Sequence, residues 1–293
     1  MTLFSEPAID HAARNSRCGA SDAAAILGLS PYRTPWETWA QKTNRLEPSK
    51  GNTATNMGQR LERPILDYAE AELGPLVRGE LVWAPRIELP LASTLDARVK
   101  ADGVPVEAKT SGIVGPFYGE WGEPDSDAVP ANYLVQVTLQ MICTEAEFAY
   151  LYALLGGRGI VRYRIVRDAE LADLLVQQLA AWWDRHIVRD IEPERTSPVP
   201  VEVAKRLKKA PNKVIAFDDS ASPLIGEYEV AKAERLAAEK RADGAQASLL
   251  MLLGDAEAAT LPDGGMLTYL EQKRKGYVVK DSSYRVMRFR KAD

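Results

Sequence analysis

Cysteine and histidine are scarce in this chain of 293 residues, which has two of each: Cys18 and Cys143, His11 and His186. Two cysteines can build neither a disulfide framework nor a four-cysteine metal or iron–sulfur site. With no HExxH pair and no Cys/His cluster, zinc chemistry is set aside as well. Cys18 and Cys143 are expected as small buried hydrophobes. No apolar run approaches the ~18–20 residues of a bilayer span; the longest stretches, 148–155 and 249–253, are core-sized. The opening MTLFSEPAIDHAARN lacks the basic-then-apolar order of a secretory signal, so a cytoplasmic protein without a membrane partner is expected. Also missing are a GxxxxGK[ST] loop and a GxGxxG fingerprint, so ATP hydrolysis and dinucleotide redox chemistry have no phosphate cradle.

What is present is an ordinary globular composition, 46% hydrophobic and 27% charged. The net charge of −4 excludes a generally cationic nucleic-acid coat. It leaves room for a local patch that meets phosphates. Hydrolysis by hard metals held on carboxylates also stays open.

Along the chain, a short helix is expected at 22–27, capped by Ser21 or Asp22 and stopped by Gly28. Pro35 opens a second helix carrying Trp36 and Trp39 on one face. A longer helix at 57–73 has Leu61, Ile65, Leu66 and Ala69 at helical spacing. Strand-like segments follow at 81–87, 91–99 and 104–110, then a Gly/Pro/acidic loop at 111–130, in which Trp121 is a candidate DNA contact. A helix at 131–144 precedes a hairpin of 146–155 with 159–167. Asp168 then caps a helix to about 190, with Leu171, Leu174, Leu175, Leu179, Trp182 and Ile187 facing a core. Beyond Pro193 the texture turns Pro- and Lys-rich. A charged helix at 224–253 and two strands, 265–272 and 277–289, close the chain. The tail 266–293 carries 8 Lys+Arg against 3 Asp+Glu with four aromatics interleaved. That is either a backbone-binding strip or a charged sheet edge.

The stretch STLDARVKADGVPVEAKTSG carries the most chemistry. With Asp102-Gly103 as a two-residue turn, cross-strand pairs put Asp96 opposite Lys109 and Arg98 opposite Glu107. Side chains alternate faces along a strand, so Asp96, Glu107 and Lys109 share one face, while Leu95, Ala97, Val99, Val106 and Ala108 supply core on the other. Two adjacent carboxylates repel each other and invite a hard divalent cation, Mg²⁺ or Mn²⁺, which accepts phosphate oxygens and activates water. A neighbouring lysine offsets charge on phosphorus. On these residues alone a surface hairpin with a cross-strand ion pair is the ordinary alternative. Glu62, in MGQRLERPIL, could add a third carboxylate. Tyr133, Gln136 and Gln140 form a stripe at i, i+3, i+7 on the following helix.

Taken together and in order, these segments resemble the YqaJ-type viral recombinase family, whose members are similar to lambda exonuclease within the PD-(D/E)xK nuclease superfamily. CGASDAAAILGLSPYRTPWETWAQKT resembles the family's N-terminal signature and MGQRLERPILDYAEAELG its glutamate-bearing helix. STLDARV and PVEAKTS resemble its Asp and Glu-x-Lys motifs, VPANYLVQVTLQMICTE its glutamine helix, and AAWWDRHI its late aromatic helix. The resemblance implies an α/β fold: a PD-(D/E)xK restriction-endonuclease-like core with a mixed central sheet flanked by helices, plus a C-terminal helix and β appendage. The expected domains are a nuclease domain at 1–195, a linker or irregular crossing at 196–222, and a C-terminal extension at 223–293.

By position, the resemblance makes Asp96 and Glu107 metal ligands, with the Ala108 carbonyl and Glu62 as further ones. Lys109 becomes the catalytic lysine and Gln136 the active-site glutamine. Arg14, Ser21 and Thr94 match residues that receive a DNA 5′-phosphate, with Arg17 as an alternative anion contact. One departure is Thr138, which stands where the family often has a second glutamine. The implied function is a Mg²⁺-dependent exonuclease that degrades linear double-stranded DNA from 5′ to 3′. Its implied partners are other copies of itself and a single-strand annealing protein. An end-independent endonuclease with the same site and a non-catalytic DNA-binding module are the alternatives.

Overall fold

The computed structural model describes residues 11–49, 51–113, 117, 119–195, 199–211 and 213–273. The chain divides into two compact units, Met1–Lys209 and Ala210–Asp293.

The first unit is a mixed α/β core. Its N-terminal elements are α1 (His11–Asn15), β1 (Cys18–Gly19), α2 (Ala20–Ile26), α3 (Pro35–Lys42) and α4 (Thr53–Leu73). Then come β2 (Leu76–Arg78), β3 (Leu81–Trp83), β4 (Leu91–Thr94), β5 (Ala97–Val99) and β6 (Pro105–Ser111). Next are α5 (Ala131–Thr144), β7 (Phe148–Leu155), β8 (Gly159–Val166) and α6 (Ala169–Trp183), which runs into a π-helical turn at Asp184–Val188. A short α7 (Val201–Ala204) follows.

The main sheet has the order β2-β5-β6-β7-β8. Only β6 and β7 pair in parallel. A parallel pair needs a long crossover, and α5 supplies it. Strand β6 is therefore covered on both faces. Val106 and Ala108 pack with Ile65, Leu66 and Ala69 of α4. The opposite face of the sheet, with Ala149, Leu151 and Ala153 of β7, packs against Val137 and Met141 of α5. A smaller sheet, β1-β4-β3, pairs β1 in parallel with β4. A third cluster joins Cys18, Leu91, Leu139, Cys143 and Leu179. Cys18 and Cys143 are buried, and that burial pushes both thiols up to about 12.

Local chemistry sets the helix ends. Thr34 and Glu37 form a reciprocal capping box before Pro35 at the start of α3. Asn52 caps α4, which begins four residues before the expected 57. Asp168 caps α6 through Leu171 N–H at 3.0 Å. Val199 and Val203 pack on Trp36, Trp39 and Leu46, and Leu46 bridges Leu207, so residues 199–209 lie on the core.

Several expectations are corrected. The segment 91–99 is two strands in different sheets, broken at Leu95-Asp96. The hairpin register is shifted by two residues: Ala97 pairs with Val106 and Arg98 with Pro105. The cause is a glycine bulge. Val99 donates to the Val104 carbonyl at 2.8 Å while its own carbonyl accepts from Gly103 N–H at 2.9 Å. Gly103 and Val104 together thus oppose Val99, with Gly103 at φ 77°. Asp102-Gly103 ends the turn rather than forming its centre. An even shift preserves facing, so the polar and apolar faces survive.

Ser21 and Asp22 do not cap α2; Gly19 occupies that position without a side-chain bond. Leu174 is 49% exposed rather than core-facing. Trp121 is buried, its indole stacked on Tyr133 at 5.5 Å and tilted against Tyr163 at 5.4 Å. The loop is fastened there because the Gly122 carbonyl accepts from Arg158 and from the Tyr163 hydroxyl. It is core, and the expectation of a DNA contact is withdrawn.

The second unit holds α8 (Ala221–Leu253) and a hairpin of β9 (Ala258–Thr260) with β10 (Met266–Thr268). The expected partner for 265–272, the strand at 277–289, lies outside the described residues, as does most of the basic tail. Among the described residues no helix is long and apolar enough to cross a membrane.

Candidate active site

The break between β4 and β5 places Asp96 where the two sheets part, beside the middle of β6. Ala108 N–H donates to Asp96 Oδ2 at 2.9 Å, which ties the Asp strand to the Glu-x-Lys strand. Glu107 points away from α4 and is 1% exposed, so the site is not a surface hairpin. Its carboxylate accepts from Gln136 Nε2 at 2.6 Å on one oxygen and from Gln140 Nε2 on the other. Lys109 Nζ pairs with the same oxygen that Gln136 reaches. It also lies 5.4 Å from the centre of the Tyr133 ring.

Three donors thus meet the two oxygens of Glu107. The Asp96 carboxyl is strongly shifted by its surroundings. Burial first, and repulsion from Glu107 second, push its carboxyl well above the ordinary range, with Glu62 adding to the rise. For Lys109, burial alone would lower the ammonium; Glu107 and Asp96 outweigh it and hold the side chain above its usual value. Lys109 is therefore a permanent cation at neutral pH, a donor and counter-charge and not a base.

Above this cluster opens a cleft of ≈ 700 Å³. Its lining includes Arg14, Arg17, Ser21, Glu62, Thr94, Asp96, Glu107, Lys109 and Gln136. Ala108 lines an adjoining pocket of ≈ 440 Å³ that shares Glu62, Asp96 and Lys109, so the carboxylates stand where two cavities meet. The parallel pairing of β1 with β4, Cys18 with Leu91 and Gly19 with Ala92, brings the N-terminal segment to the end of β4. There Arg14 Nη2 lies 3.4 Å from Ser21 Oγ, and Arg17 Nη2 lies 3.4 Å from Thr94 Oγ1. The catalytic, metal-binding and phosphate-binding candidates named from the sequence thus each line one of two joined cavities.

Two residues gain a place that the sequence left open. Gln140 stands one turn beyond Gln136 and bonds the second oxygen of Glu107; its i+4 spacing was the available signal. Thr138, on the other side of the helix, is buried and donates to the Leu134 carbonyl.

The donor set suits a hard divalent cation. Asp96, Glu107 and Glu62 offer carboxylate oxygens in one cleft, and Mg²⁺ takes only one or two carboxylates, keeping waters and phosphate oxygens for the rest. Among the described residues no three His, Cys, Asp or Glu side chains are gathered closely enough to hold a metal ion by themselves, so the remaining positions would fall to those smaller ligands.

Around one cleft, this mixed α/β core gathers an Asp, a Glu-x-Lys strand and a glutamine helix. Residues 11–147 match the family model of the YqaJ-like viral recombinase domain. The uncharacterized protein YqaJ of Bacillus subtilis is 29% identical over 180 residues, 60% of this chain and 54% of that protein. The chain therefore spans about half the length of that relative. Protein D345L of African swine fever virus is 38% identical over 70 residues, 24% of this chain and 20% of that protein. Among solved structures, an alkaline exonuclease from Laribacter hongkongensis, in its complex with dAMP, is similar at 20% identity. That match covers 61% of this chain and 92% of the other, with a TM-score of 0.49.

Proposed function

We propose that this protein is a divalent-metal-dependent deoxyribonuclease that hydrolyses linear double-stranded DNA from its 5′ ends. The observation that carries the reading is the Asp96–Glu107–Lys109 cluster, Glu107 buried and the other two half-buried, at the base of a cleft whose far wall bears Arg14 with Ser21 and Arg17 with Thr94.

Asp96 and Glu107, with the Ala108 carbonyl and Glu62, would hold the metal. When bound, Mg²⁺ supplies a water of lowered pKa and offsets charge on the phosphoryl oxygens. The chain's own groups do the rest. Lys109 brings a fixed positive charge to the phosphoryl group, whose negative charge grows as the phosphorus is attacked. Gln136 and Gln140 hold the Glu107 carboxylate in one orientation, so it need not reorganise during the reaction. Arg14, Arg17, Ser21 and Thr94 supply charged and neutral donors to a terminal phosphate. Anchoring that phosphate a fixed distance from the carboxylates makes cleavage proceed from an end. The family resemblance adds a homo-oligomer and a single-strand annealing partner to the same reading.

Linear duplexes with and without a 5′-phosphate, digested in Mg²⁺ beside closed circles, test it. Loss of the linear DNA only, faster with the phosphate, is the expected result. Circles cut as fast as linear DNA would replace it with an end-independent endonuclease, and binding without cleavage would leave a non-catalytic module.

A further inference from the structure

The cationic wall of the cleft hangs on one buried ammonium. Lys42, the last residue of α3, has a side chain only 3% exposed. An ammonium has three N–H groups. In Lys42 two of them reach backbone carbonyls, of Arg14 at 2.9 Å and of Arg17 at 2.7 Å, and Asp22 Oδ2 stands 2.6 Å from the nitrogen as an ion pair. Asp22, itself 1% exposed, gives its other oxygen to Arg33 Nη2 at 2.6 Å. The neighbouring turn adds a tie, Asn15 Nδ2 to the Gln41 carbonyl at 2.9 Å. Gly19 belongs to the same arrangement, since a Cβ there would stand 2.9 Å from Asp22 Oδ2.

The two carbonyls that Lys42 grips belong to the two residues whose guanidiniums line the cleft. The helix that carries Arg14, α1, has five residues, too few to hold its own conformation, so its placement is imposed from outside. Buried ion pairs contribute little net stability compared with apolar side chains of the same size, while they fix geometry where every donor is matched. Lys42 does not contact the phosphate itself, because it is enclosed by these three oxygens and does not line the cleft.

We propose that Lys42, locked by Asp22, is a positioning residue that sets Arg14 and Arg17 for a terminal phosphate and so fixes the preference for phosphorylated DNA ends. This rests on the reading of that wall as the phosphate-receiving one. It separates the chemistry at Asp96 and Glu107 from end recognition: the first sits at the β4–β5 break and on β6, and the second is positioned from the end of α3.

The test is steady-state digestion of 5′-phosphorylated and 5′-hydroxyl duplexes by the full chain and its Lys42→Met variant, which leaves Asp22 paired with Arg33. The expected result is a KM for phosphorylated ends raised roughly tenfold or more, the scale of a lost charge-assisted contact, with kcat little changed and the ratio between the two ends collapsing toward one. Should Lys42→Met unfold, the double variant Asp22→Leu/Lys42→Met removes the buried pair together and carries the same expectation. A folded variant that keeps the wild-type ratio overturns the positioning role alone. A wild type indifferent to the phosphate overturns the phosphate reading of the cleft and this proposal with it.

Discussion

Replacing Lys109 by alanine is expected to slow DNA cleavage by about 10²–10³-fold while leaving DNA affinity within about twofold, because its charge acts on the transition state and not on the bound duplex. The ammonium is held in its charged form by Glu107 and Asp96, so the loss should be independent of pH through the neutral range. Single-turnover digestion with a parallel binding measurement separates the two effects. Equal loss of binding and cleavage would make Lys109 a structural or binding residue, its Glu107 contact serving only to neutralise a buried carboxylate. Thermal unfolding of the variant shows whether that carboxylate, left with Gln136 and Gln140 alone, still tolerates burial.

The largest effect on stability is expected at Asp22. Asp22→Ala leaves the Lys42 ammonium buried against two carbonyls without its counter-charge, and breaking a buried pair in this way costs ~3–5 kcal/mol. Urea unfolding measures it. The pH dependence has a definite sign. Burial alone would raise the Asp22 carboxyl, but Arg33 and Lys42 outweigh it and lower it to about 2. A folded-state value below the unfolded one means the contribution is fully present above the unfolded value near 3.8 and is lost as pH falls toward 2. The shift is worth on the order of 2 kcal/mol, so the wild type should lose stability across that acid window more steeply than Asp22→Asn. Parallel acid profiles for the two proteins would contradict the assignment.

Much of the fold was legible because apolar spacing and capping chemistry agree with tertiary packing. α5 begins and ends where the periodicity of 131–144 puts it, and α6 starts at the cap Asp168. The residues of the site were legible as types in a pattern. The alternation along β6 separates Glu107 from Val106 and Ala108 whatever the register, so a shift of two residues did not disturb it.

What the sequence did not reveal depends on contacts between distant segments. Leu91–Val99 alternates like one strand, and only the pairing of β4 with β1 and β3 against that of β5 with β2 and β6 breaks it at Asp96. Asp22 has the composition of a helix cap, and its partners Arg33 and Lys42 lie 11 and 20 residues away, a distance that local rules do not span. Trp121 lies in a polar, glycine-rich stretch, and its burial against Tyr133 and Tyr163 follows from the fastening of that loop to β8. Gln140 was visible as one of a stripe, but which stripe member meets Glu107 depends on how α5 crosses β6.

The central claim is that the Asp96–Glu107–Lys109 cluster hydrolyses phosphodiester bonds with a divalent cation. The most direct measurement is release of acid-soluble nucleotide from uniformly labelled linear duplex by the purified chain, with Mg²⁺ and with chelator, beside Asp96→Asn. Release in Mg²⁺, abolished by chelator and by the substitution, is the predicted result. Duplex bound but left intact by the wild type in both Mg²⁺ and Mn²⁺ would contradict it.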